Sequence, residues 1–267
     1  MIKRILILFA IAQLSMMSYS QTPKWAEKAK KAVFSVVTYD TNDKILNTGN
    51  GFFISEKGVA ISDYALFKNA QRAVIITSEG EKMPVKAILG ANDMYDVVKF
   101  SVDITSKKVA NLTLSETPMT DGTKLWLLPY STQKVRSLTS GNVNSVDKIS
   151  DYAYYTINLP LKEKMVSCPL MNDEGLVVAL AQKASGQDTA TICYGVDARF
   201  ANSQEITAIS YNDYALKQIG IKKALPETED QALIFLYMVS SQVDAEQYSS
   251  LLNDFIAQYP NSADGYV

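Results

Sequence analysis

From residue 33 onwards the sequence runs in short bursts of Val, Ile, Phe and Tyr that alternate with polar residues and stop at Gly, Asn or Asp. Alternation sends every second side chain to one face of a strand, and β-branched and aromatic residues suit a pleated, half-buried surface. Strands are therefore predicted at residues 33–39, 51–54, 73–77, 84–89 and 97–102, and a second set at 125–128, 137–146, 152–157, 176–182 and 189–196. No helical spacing separates them. Strands at such short intervals fold back antiparallel, which points to barrels. A mostly polar connection opened by Asp103 and running to Thr123 joins the two sets.

The period changes after Phe200, where residues 208–219, 229–242 and 245–259 carry apolar side chains at helical spacing with Glu or Asp in or near their first turns. At the other end, residues 23–31 place Trp25 and Ala29 on one helical face with lysines elsewhere. That predicts a short amphipathic lead-in helix, the alternative being a disordered arm. In the second set of strands, Tyr152 and Tyr154 fall on one face and Tyr155 on the other. Exposed tyrosines favour recognition; ordinary packing is the plainer reading.

A chain of 267 residues with 47% apolar content has room for one large or two small packed units. Its net charge of -2, with no cluster of Lys and Arg, argues against nucleic-acid binding. Residues 1–20 open with Lys3 and Arg4, continue through an apolar run at 5–11, and end in Ser18, Tyr19 and Ser20, the pattern of a secretory signal peptide cut near Ser20. The run is shorter than the roughly 20 apolar residues that span a bilayer, so an uncleaved anchor is the weaker alternative, and no stable membrane span is expected after cleavage. Export permits disulfides, yet the chain holds only Cys168 and Cys193, which either pair or fill buried space. Two isolated thiols in a chain with no histidine do not make a zinc cage, so neither metal nor other cofactor is expected.

Three ordered segments carry a further pattern. In the first, the glycine-flanked strand Gly51, Phe52, Phe53, Ile54 is followed by a turn at Glu56, Lys57 and Gly58, then Val59, Ala60, Ile61, Ser62 and Asp63. The second, LGANDMYDVVKF, runs over 89–100, and the third joins KMVSCPL at 164–170 to NDEGLVV at 172–178. Together they resemble the trypsin-like serine proteases over about residues 32–200, most of all the periplasmic heat-shock branch. The resemblance implies a mainly β chain, with two six-stranded antiparallel barrels, a cleft between them and a C-terminal α-helical segment. It places the family's histidine position on Ala65, its orienting aspartate on Asp96, its nucleophile position on Val166 and its oxyanion glycine on Lys164. It also puts the two cysteine strands out of direct contact, which favours free thiols. Residues 208–219 resemble the family's closing helix. The two later helices, with Tyr259, Pro260, Asn261, Ser262, Ala263 and Asp264, resemble tetratricopeptide repeats, in which Tyr-Pro closes one helix and Asn-Ser-Ala-Asp opens the next.

The expected organisation is a signal peptide at 1–20, the double barrel at 21–204 and a helical segment at 205–267. The sequence stops at Val267 in what would be the first turn of another helix, so the natural protein is expected to continue into further repeats; a frayed tail on a small helical cap is the alternative.

Acyl-transfer chemistry of this kind needs a hydroxyl, a base within hydrogen-bond reach, a group orienting that base, and backbone donors facing the oxyanion. Only the orienting Asp96 is retained, and its expected role is structural, holding the loop of the first barrel. Lys164 brings a Cβ where glycine is the permissive residue, so a different loop path is expected. The expectation is a non-enzyme of the cell envelope, periplasmic or secreted, that binds a protein or extended peptide or acts as a scaffold. The alternative is an active hydrolase using Ser167 with Lys164; Cys168 is a weaker nucleophile candidate, having no histidine partner. A third possibility is a structural spacer, with recognition left to the repeats.

Overall fold

In this computed structural model, residues 22–104, 108–183 and 191–264 are described; the signal-peptide expectation at 1–20 lies outside them. In the first half, β1 (Val33–Tyr39), β2 (Ile45–Phe53), β3 (Val59–Ser62), β4 (Arg72–Ile76), β5 (Lys82–Asn92) and β6 (Val97–Val102) close in the order β1-β2-β3-β6-β5-β4. In the second, β7 (Lys124–Leu127), β8 (Thr139–Ile149), β9 (Tyr152–Ile157), β10 (Pro169–Met171), β11 (Val177–Lys183) and β12 (Cys193–Asp197) close as β10-β11-β12-β9-β8-β7. Neighbouring strands are antiparallel throughout both barrels. Closure leaves neither sheet with a free edge along its length.

Two strands, β3 and β10, were not predicted by alternation. Three of the four residues of β3, and all of β10, are buried, so neither has a polar face to produce an alternating pattern. Close approach sets one residue between β2 and β3: a Cβ on Gly51 would lie 2.7 Å from the carbonyl oxygen of Ile61 and 2.7 Å from the Phe34 ring. Only glycine lets the strands meet there.

Phe52, Ile61 and Val97 of the first barrel pack against Trp126, Leu180 and Val196 of the second. The lead-in helix, α1 (Ala26–Ala29), is shorter than predicted and passes through a 3-10 turn at Lys30–Ala32 directly into β1. It wedges Ala29 and Ala32 into the same contact, and two indoles fasten this corner to one aspartate: Trp25 donates to the Asp173 carbonyl (3.1 Å) and Trp126 to its carboxylate (2.6 Å). Tyr155 is fully buried inside the second barrel, whereas Tyr152 packs edge-on to Tyr95 and Phe200, and Tyr154 lies against Tyr194. Cys168 and Cys193 are free and buried, with β11 lying between their strands.

The helix expected at 208–219 is broken. A 3-10 turn at Ser210–Asn212 gives way at Asp213, whose extended backbone lets its carboxylate accept from the amides of Ala215 and Leu216 and start a new turn, α3 (Tyr214–Lys217). This is N-capping overriding the apolar period. Beyond it, α4 (Glu229–Val239) and α5 (Ala245–Gln258) place Phe235, Leu251 and Phe255 in one apolar cluster with Phe34, Ile88 and Phe100 of the first barrel. The backbone at 222–224 brackets Ile88, which donates to the Lys222 carbonyl and accepts from the Ala224 amide, both at 2.8 Å. Among the described residues no helix is long and apolar enough to cross a membrane.

Candidate functional site between the barrels

β3 ends at Ser62, Asp63 stays extended, and a single turn, α2 (Tyr64–Phe67), carries Ala65 to the surface. Opposite it, the turn between β5 and β6 holds Asp96 at φ 52, a left-handed backbone in which the carboxylate reaches back to α2. Asp96 Oδ1 accepts from the Ala65 amide at 2.7 Å, and the Asp96 carbonyl accepts from the Tyr64 amide at 3.2 Å. Asp96 thus fixes the turn that carries Ala65. Burial raises the Asp96 carboxyl above its ordinary range, and the Ala65 N–H works against that rise.

The third segment is drawn to the same place by Asn50. Its side-chain amide donates to the carbonyls of Lys164 (3.0 Å) and Val166 (2.8 Å), while its backbone carbonyl accepts from the Ser62 hydroxyl at 2.5 Å. Residues Glu163–Met165 form a 3-10 turn in which the Val166 amide donates to the Glu163 carbonyl at 3.3 Å. A carbonyl group being attacked is stabilised by amides pointing outward at this position; in this conformation the Val166 amide is taken by its own turn.

Ser167 and Lys164 do not meet. Lys164 is exposed, while Ser167 is fully buried at φ 63, its amide bonded to the Ala181 carbonyl at 2.9 Å and its Oγ without a partner. The alternative of a Ser167–Lys164 pair is not met by this geometry: the hydroxyl is buried at a left-handed backbone position, and the lysine is exposed. Burial pushes the Cys168 thiol up to about 12, which keeps it protonated and removes its nucleophilicity.

Two buried residues missing from the sequence expectations stand in this region: Asn50, which ties its segments together, and Asp63. Asp63 is buried, and burial together with the nearby Asp96 carboxylate pushes its carboxyl up to about 8; the Ser167 hydroxyl opposes that rise without closing a hydrogen bond to it. Asp63 Oδ1, Tyr64 Oη and Ser167 Oγ are all buried without a partner. A polar residue closing an apolar strand at Asp63, and an asparagine between two glycines at 49–51, were the available signals.

The surface beside this cluster has one open strand end. Ala181 is the last residue of β11 to bond towards the Ser167–Cys168 side, donating to the Cys168 carbonyl at 3.0 Å. Backbone groups of an antiparallel strand face the same side every second residue, so Lys183 presents its N–H and C=O on that side. Lys183 is in register only with Cys193, on the opposite flank. Its ammonium lies 3.6 Å from the Glu163 carboxylate across the opening. Ala65 is exposed and Asp96 and Val166 are half-buried, so the ground between the barrels is an open surface.

Residues 49–180 match the family model described as a trypsin-like peptidase domain. Among solved structures, the chain is similar to the serine endoprotease from Yersinia pestis, with a TM-score of 0.54 and 16% sequence identity. The match covers 66% of this chain and 62% of that one, less than two thirds of its length. No curated protein matches the sequence. The expectation of a non-enzyme is corrected by these findings, since the matching model is that of a peptidase domain and the similar structure is a serine endoprotease. Residues 49–180 are thus similar to a trypsin-like peptidase domain, and they lie within the pair of closed six-stranded barrels that spans residues 33–197.

Proposed function

We propose that this is an exported protein of the cell envelope whose surface between the barrels takes an extended peptide or protein segment. The observation that carries the reading is the end of β11, where Lys183 offers a backbone donor and acceptor with no strand alongside among the described residues. An extended segment added there gains main-chain hydrogen bonds, and its side chains meet the half-buried Asp96 and Val166. Export rests on the charged, then apolar, then small-residue order of residues 1–20. The helices α4 and α5 supply a second surface of tetratricopeptide type, with Ile234 and Tyr237 exposed on α4.

The test is a fluorescent library of extended peptides titrated against the full chain and an Ala65→Trp variant. An indole at this exposed position crowds the surface beside Asp96, so loss of binding with an unchanged melting temperature is the expected result. Equal binding by both proteins would rule the surface out. A second reading is favoured by the match to a peptidase domain: the bound segment is cleaved. It is followed in the same titration by mass spectrometry of the peptides, with a fluorophosphonate probe to find the nucleophile and Ser167→Ala to test the buried hydroxyl.

A further inference from the structure

Away from the surface between the barrels, a cavity of about 510 Å³ opens between the first barrel and the C-terminal segment. Its charged lining is unbalanced: Lys57, Lys86, Lys222 and Lys223 stand against Asp103 and Asp254. Lys222 is already bonded to Asp254 and to the Ser250 hydroxyl, which removes one cation and one anion together. Lys57, Lys86 and Lys223 have no carboxylate within ion-pair distance among the described residues.

Lys223 is the informative one. It is held in place by its neighbours rather than by its own side chain, since the amide of Ile88 bonds to the Lys222 carbonyl and the carbonyl of Ile88 to the Ala224 amide. Among the described residues its ammonium donates to the Ile219 carbonyl alone, a neutral acceptor. An ammonium withdrawn from water without a counter-charge destabilises the fold unless something negative reaches it. Consistent with that, burial pulls the Lys223 amine down to about 8. Val102 and Leu225 contribute apolar wall to the same cavity, and its volume lies in the usual range for small-molecule sites, about 300–1,000 Å³.

We propose that this cavity binds a small organic anion, a carboxylate or phosphate carried on an apolar body, with the charge among Lys57, Lys86 and Lys223. The apolar body lies against Val102 and Leu225. A positive, partly desolvated recess concentrates such an anion relative to bulk solvent.

The experiment is calorimetric titration of the full chain at low salt with phenyl phosphate, benzoate and inorganic phosphate, so that the phosphate, carboxylate and apolar contributions are read separately. One-site saturable binding is expected, tighter for phenyl phosphate or benzoate than for inorganic phosphate. Lys223→Met weakens it by about tenfold or more, Lys86→Gln by several-fold, and Lys24→Gln, on the lead-in segment, leaves it unchanged. If Lys223→Met does not fold, Lys57→Gln with Lys86→Gln takes its place, with the same loss expected. Absence of saturable binding, or affinity unchanged in folded variants, overturns the proposal.

Discussion

A carboxyl at the end of β3 that is 4% exposed, with one oxygen unbonded and a second carboxylate nearby, binds its proton more tightly in the folded chain than in the unfolded one. The unfolded group titrates near 3.9, and the folded Asp63 is pushed up to about 8. Its contribution is therefore fully present below about pH 4 and is lost as pH rises through about 8. Asp63→Asn keeps the shape, removes the titration, and offers the unpaired Ser167 hydroxyl a donor. At pH 8 the variant is expected to be more stable than the parent by up to about 5 kcal/mol, the difference vanishing near pH 4; thermal melts across that range measure it. A gap that does not grow with pH would show that Asp63 ionises freely in the fold. At this scale short local motifs singled out Ala65, Asp96, Val166 and Lys164, and of these Asp96 meets Ala65 directly. Asn50 was not, because its partners lie 114 and 116 residues away.

Turns and caps decide what each element can hold. The 3-10 turn at Glu163–Met165 has little packing of its own, since none of its residues is buried, and the Asn50 amide is its tie to β2. Asn50→Ala leaves two carbonyls without that donor and is expected to cost about 1–3 kcal/mol. Hydrogen exchange of the amides at 164–166 should quicken well beyond that of β2 itself; uniform change along the chain would mean that Asn50 serves the barrel and not the loop. The long alternating strands were readable because half-burial writes itself into sequence with period two. β3 and β10, only four and three residues long and largely buried, give too few positions to show alternation, and the break at Asp213 was hidden because a cap overrides the apolar spacing around it.

In the whole molecule the helical segment and the first barrel are energetically one body, since Phe235 and Phe255 lie in the same cluster as Phe34, Ile88 and Phe100. The sequence showed where strands give way to helices, but the side of the barrel on which they settle depends on the Ile88 pairing, which joins segments 134 to 136 positions apart. Phe235→Ala should therefore destabilise by about 3–5 kcal/mol and expose amides of β1 and β5 to exchange as well as those of α4. Loss of protection confined to the helices would mean that the two parts unfold separately.

The surface between the barrels is tested most directly by placing a photo-activatable benzoylphenylalanine at position 65 of the full chain and irradiating it with a bound library of extended peptides. Capture of peptide at position 65, suppressed by excess unlabelled peptide, is the predicted result. Saturable peptide binding with no capture there, or with capture only when the probe is moved to Tyr237 on α4, would contradict it.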